Sequence, residues 1–140
     1  MKRKIILDSG PLVAFLNKND LHHDWAKRQF SMLMPPLITC ESVLSEVCFL
    51  LGPFPKGARH ALELMQRDLI VLSFDLQTES MSIKSLLERY EAMPMSLADA
   101  CLVRLAEQIS ESVILTTNRN FTVYRKNKRD IIPVILPDDP

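Results

Sequence analysis

Short apolar runs alternate with longer stretches of helical periodicity along almost the whole chain, and this alternation restricts the architecture more than any other feature. Lys4 to Asp8, Leu37 to Cys40, Ile70 to Phe74, Ser112 to Thr117 and Ile131 to Leu136 have strand length and apolar character. Helical patterns fill the intervals: Leu12 to Asn17, Asp20 to Met34, Glu41 to Leu51, Ala58 to Arg67, Leu76 to Tyr90 and Ser96 to Ile109. Pro11 suits a first helical turn, Pro35-Pro36 stops the second helix, and Gly52-Pro53-Phe54-Pro55 breaks the chain. Strands separated by helices predict an α/β fold, a mostly parallel five-stranded sheet covered on both faces. Pro133 marks the last strand as an edge. With no repeat or linker, residues 1–140 read as a single domain, of which only Pro137 to Pro140 are expected to fray.

Composition removes several function classes. Seventeen basic and seventeen acidic residues cancel, so no bulk charge draws the chain to nucleic acid or membrane. Asp8 cuts the apolar run Ile5-Ile6-Leu7 too short for a signal peptide, and no stretch approaches the ~20 apolar residues of a membrane span. Cys40, Cys48 and Cys101 all lie in apolar contexts, as expected of buried reduced thiols in a cytoplasmic protein. The absence of a Cys-x-x-Cys pair and the spacing of His22, His23 and His60 argue against zinc. The two adjacent histidines, His22 and His23, read as solvent-facing helix residues.

Three carboxylates fall where apolar residues belong. Asp8 ends the first strand, Glu46 interrupts the helical stripe Val43, Val47, Leu50, and Asp99 is the only acid between Met95 and Val103. Alone, Asp8 reads as the cap of Ser9-Gly10-Pro11, and Asp99 as the third helical residue of a capping box opened by Ser96. An arginine partner would satisfy Glu46. Together they suggest one shared partner, because burying an ionised carboxylate costs several kcal/mol unless something positive compensates it. A divalent cation is the economical choice. Ligands of open α/β sheets bind beyond the carboxyl ends of the strands, where Asp8 and Asn118 fall.

The runs Ile6-Leu7-Asp8-Ser9-Gly10-Pro11-Leu12-Val13-Ala14, Thr39-Cys40-Glu41-Ser42-Val43-Leu44-Ser45-Glu46, Met95-Ser96-Leu97-Ala98-Asp99-Ala100 and Leu115-Thr116-Thr117-Asn118-Arg119-Asn120-Phe121 resemble the motifs of PIN domains, in the same order. The resemblance spans nearly the whole chain. It implies a three-layer α/β/α sandwich with strand order 3-2-1-4-5. It also implies a metal-dependent ribonuclease, commonly the toxin of a VapBC-type toxin–antitoxin pair, and a homodimer. The acidic positions of that family map onto Asp8, Glu46 and Asp99. The fourth position, usually aspartate, is Asn118 here, and a second frequent aspartate is Asn120. An amide oxygen can ligate but adds no charge, so metal affinity is expected to fall.

On this reading Asp8 and Asp99 bind Mg²⁺ or Mn²⁺, Glu46 binds it or orients the attacking water, and Asn118 holds a water or a weaker second site. Ser9 and Thr117 bring hydroxyls to the same rim. Arg119, Arg125 and Lys126, with Lys128 and Arg129, form an acid-free basic stretch interleaved with Phe121 and Tyr124. Cations there would neutralise phosphates and aromatic faces would stack unpaired bases of single-stranded RNA or tRNA, although a basic run is usually a solvated surface and Phe121 reads more readily as core. The competing reading is a degenerate PIN domain that binds RNA or protein without cutting. The helices around Trp25, Phe30 and Phe49 offer apolar surface to an antitoxin or a second copy, although core burial explains these residues equally well.

Overall fold

The computed structural model describes residues 3–52 and 56–138. The Pro53 to Pro55 part of the predicted break and the last two residues of the predicted frayed end lie outside them. Four segments, β1 (Lys4–Leu7), β2 (Leu37–Thr39), β3 (Ile70–Leu72) and β4 (Ser112–Leu115), form a parallel sheet completed by β7 (Val134–Ile135) in the order β3-β2-β1-β4-β7. Central β1 is flanked on both sides, with Ile6 opposite Ile38 and Leu7 opposite Leu115. Both faces of such strands need cover, which explains why Ile6, Leu7, Ile114 and Leu115 are all fully buried.

The helices α1 (Ser9–Leu16), α2 (His23–Met32), α3 (Glu41–Leu50), α4 (Gly57–Gln66), α5 (Ser80–Arg89) and α6 (Leu97–Gln108) supply that cover. The predicted α/β/α sandwich and its strand order are thus observed. Several boundaries move for identifiable reasons. α1 starts at Ser9 rather than Leu12, because the Asp8 carboxylate accepts from the Ser9 N–H and caps it. α5 starts at Ser80 rather than Leu76, because Asp75 accepts from both the N–H and the hydroxyl of Thr78 and holds a turn there. α2 starts at His23, after a turn in which Asp20 accepts from the His22 N–H. His23 is half-buried, its Nδ1 2.7 Å from the Ala14 carbonyl oxygen, and does not simply face solvent.

The largest departure is at the fifth predicted strand. Its residues divide between β6 (Asp130–Ile131), which pairs antiparallel with an unforeseen β5 (Arg125–Lys126), and β7 in the main sheet. Pro133 has no N–H to continue a ladder, but its carbonyl accepts from Ile114 N at 2.9 Å and leads the chain into β7. Among the described residues no helix is long and apolar enough to cross a membrane.

Candidate active site

The three carboxylates meet at the carboxyl ends of β1 and β2 and the N-terminus of α6. Asp8 leaves β1 and is 4% exposed. Its Oδ1 accepts from Ser9 N at 2.7 Å and its Oδ2 from the Thr116 hydroxyl at 2.6 Å. Glu46 lies in the second turn of α3, half-buried, where its Oε1 accepts from the Ser9 hydroxyl. Asp99 lies in the first turn of α6, 6% exposed. There the predicted capping box is complete: Asp99 N donates to Ser96 Oγ at 3.0 Å and Ser96 N donates to Asp99 Oδ2 at 3.2 Å. α6 precedes parallel strand β4 and runs back along the sheet, so its start reaches the rim where β1 ends. Its N–H groups add positive partial charge there.

The electrostatics are those of a site lacking a counter-charge. Burial pushes the Asp8 carboxyl up to about 6, against hydrogen bonds from Thr116 and Ser9 that pull it down, and the charges of Asp99 and Glu46 raise it further. Asp99 is also raised, first by burial, with the Glu46 charge adding to it. The ion pairs among the described residues join Arg104 to Glu79 and Glu107, and none reaches the three acids. The arginine partner that would have explained Glu46 is therefore not found among the described residues.

The donor set is all hard oxygen, the type Mg²⁺ and Mn²⁺ prefer. However, among the described residues no three His, Cys, Asp or Glu side chains converge as a ready-made cage. Each acid is instead turned to a hydroxyl: Asp8 to Thr116, Glu46 to Ser9, Asp99 to Tyr124. Such a site suits an ion held by one or two carboxylates and several waters, which is how Mg²⁺ is usually bound.

Asn118 caps the 3-10 turn Arg119–Thr122. Its Oδ1 accepts from Asn120 N at 3.0 Å, while its own N–H donates to Thr116 Oγ1 at 2.9 Å. Its amide oxygen therefore serves the turn, and its backbone supports the hydroxyl that holds Asp8. Thr117 packs on Gly10, where an added Cβ would lie 2.1 Å from Thr117 Oγ1. Gly10→Ala must therefore displace the Thr117 side chain or the start of α1. A loss of about 1–3 kcal/mol is expected by thermal melting, with Asp8 moving alongside.

The predicted RNA-gripping residues are distributed differently. Arg125 spends its Nη1 on the carbonyls of Thr122, Val123 and Tyr124, and Arg119 reaches the Pro137 carbonyl at 2.9 Å. Both tie the C-terminal segment together. Lys126 lies opposite Asp130 in the β5–β6 ladder, and among the described residues no ion pair joins it to the three acids. Phe121 and Tyr124 are fully buried and offer no stacking face. Among the described residues the exposed aromatic is Phe49, 81% accessible, which with Leu97, Ser42, Ser45 and Ser96 lines a hollow beside Glu46.

Two site residues are not evident from motif reading. Thr116 follows from the strand register: Leu7 opposite Leu115 sets Asp8 beside Thr116. Tyr124 donates its hydroxyl to Asp99 Oδ2 at 3.2 Å from between the rings of Tyr90 and Phe121. Nothing in its sequence context signals that contact.

The PIN domain profile matches residues 5–127. No curated protein sequence matches the chain. Among solved structures, VapC20 of Mycobacterium tuberculosis, described as a sarcin-ricin loop cleaving toxin, superposes with a TM-score of 0.71 at 21% identity, covering 79% of this chain and 87% of its own. The order of the sheet, the position of its acids and the extent of the family match lead to one assignment: the chain belongs to the PIN domain family.

Proposed function

We propose that the chain is a divalent-metal-dependent endoribonuclease that hydrolyses phosphodiester bonds of single-stranded RNA, as the toxin of a VapBC-type pair. The observation that carries this reading is that Asp8, Glu46 and Asp99 share one rim, near enough for the charges of Asp99 and Glu46 to raise the Asp8 carboxyl, with no ion pair to any of the three among the described residues. The likeness to a sarcin-ricin loop cleaving toxin supports the substrate class.

Asp8 and Asp99 would hold Mg²⁺ or Mn²⁺, with Glu46 as a direct ligand or through water. The ion would supply charge neutralisation at the phosphate and an activated water. The protein's own groups do the rest. Thr116 and Ser9 N fix the Asp8 carboxylate, and Tyr124 and Ser96 fix that of Asp99. Glu46, steadied by Ser9, orients the attacking water from the α3 side. Ser42, Ser45 and Ser96 give the hollow hydroxyls for phosphate or ribose, and Phe49 gives an unpaired base a face to stack on. The expected assay result is cleavage of single-stranded RNA or tRNA with Mn²⁺ and none in EDTA; equal cleavage in both sinks the reading.

The second reading, a PIN domain that binds RNA or protein without cutting, is favoured by Asn118 alone. Asn118→Asp adds a fourth negative charge near the site. It is expected to tighten Mn²⁺ binding about tenfold or more in calorimetry, and an unchanged affinity removes Asn118 from the metal's surroundings. An antitoxin, a second copy of the chain and a cytoplasmic setting belong to the same proposal. Exposed Phe49 and Leu50 on α3 offer apolar surface to such a partner.

A further inference from the structure

With Arg119 and Arg125 committed to backbone carbonyls, the cations free to meet RNA lie elsewhere. A hollow of about 350 Å³ opens between α5, α6 and the turn of the β5–β6 hairpin. Arg89, Arg104 and Lys128 line it with the hydroxyls of Ser82 and Ser85, and its single carboxylate is Glu107. Glu107 is already spent: Oε1 accepts from Arg104 and Oε2 from Asn127 N at 2.7 Å, which pins the hairpin turn to α6. Arg104 is spent too, on Glu79 and Glu107. Arg89 and Lys128 are exposed and form no ion pair among the described residues. Asn127 and Lys128 both take positive φ, which turns the hairpin tightly enough to present Lys128 at the hollow.

The hairpin also connects this hollow to the acids. Tyr124, at its base, touches Asp99 in the first turn of α6, and Asn127, at its tip, touches Glu107 near the end of the same helix. Glu107 follows Asp99 by eight positions along α6, about 12 Å at 1.5 Å per residue. We infer that Arg89 and Lys128 form a second phosphate-binding site, which takes a backbone phosphate of the RNA strand beyond the one held at the carboxylates. This rests on the ribonuclease reading and gives it a direction: the strand runs from Asp99 along the hairpin to its tip. The hydroxyls of Ser82 and Ser85 suit phosphate oxygens, and the open hollow suits a flexible single strand.

The test is fluorescence anisotropy with a labelled single-stranded oligoribonucleotide in EDTA, at several salt concentrations, so that binding is read apart from cleavage. The double variant Arg89→Gln/Lys128→Gln is compared with the parent and with Lys18→Gln/Lys27→Gln, which removes equal charge from exposed positions elsewhere. The expected result is several-fold weaker binding by the first variant alone. The slope of log affinity against log salt should shrink by about 0.7, the value for one single-strand phosphate. An unchanged slope, or equal loss in both variants, overturns the inference while parental cleavage with Mn²⁺ leaves the nuclease reading standing. A reduced slope with no parental cleavage does the reverse. A parent that binds no RNA in EDTA overturns the inference, and one that also cleaves none with Mn²⁺ overturns both. Inorganic phosphate is titrated into the same proteins by calorimetry. Binding lost in the double variant without any change in the RNA slope marks a small-anion site, and that too overturns the assignment to RNA.

Discussion

Asp8→Asn is expected to stabilise the metal-free protein while removing RNA cleavage. The Asp8 carboxyl sits at about 6 in the folded state against an ordinary 3.8, so the folded protein holds its proton over a range where the unfolded chain has lost it. Stability from this group is therefore fully present below about pH 4 and is lost as pH rises through about 6. The difference amounts to roughly 3 kcal/mol above pH 7, which the uncharged amide avoids while still capping α1. In EDTA at pH 8 the variant should melt higher by on the order of 10 °C, and at pH 4 the two should converge. Mn²⁺ should raise the parent's melting temperature and leave the variant's unmoved, because only a ligand that binds the folded state shifts the transition. Cleavage should fall by more than about 100-fold, since even outer-shell substitutions cost 10–100-fold. A variant less stable than the parent at pH 8 in EDTA would show that Asp8 is not electrostatically strained.

Substitution of Tyr124 should have the largest effect on stability. Its ring is fully buried, in edge contact with Tyr90 at 5.1 Å and Phe121 at 5.2 Å between centroids. Tyr124→Ala is expected to cost about 3–5 kcal/mol in chemical denaturation. Tyr124→Phe keeps the packing and removes only the hydroxyl on Asp99, at a cost of about 1–2 kcal/mol. If that hydroxyl orients Asp99, the Phe variant loses Mn²⁺ affinity by about tenfold or more while melting only several degrees below the parent. Unchanged affinity would leave Tyr124 a packing residue.

The order of elements was legible because the strands of the main sheet are largely apolar and each helix interval ends in proline, glycine or a polar turn. Parallel β1, β2 and β4 then had to bring Asp8 near the α3 and α6 termini. What was not legible came from contacts between distant segments. Arg125 reads as a free cation until the backbone turns its guanidinium onto three carbonyls, and Tyr124 reads as a surface aromatic until the hairpin folds it under Asp99. The run from Ile131 to Leu136 has apolar strand character throughout, but Pro133 splits it, and hydropathy does not show which half joins which sheet. The three acids stood out for the reason they matter physically: apolar surroundings gave them no adjacent cation in the sequence. Their hydroxyl partners, Thr116 and Tyr124, blend into strand and basic loop.

Calorimetric titration of Mn²⁺ into metal-free parent and Asp8→Asn proteins at pH 8 addresses the site directly. The account predicts saturable binding by the parent, with proton release when the same titration is run near pH 6, and no binding by the variant. Equal heats from the two proteins, or no binding by the parent, would contradict a metal site built on Asp8, Glu46 and Asp99.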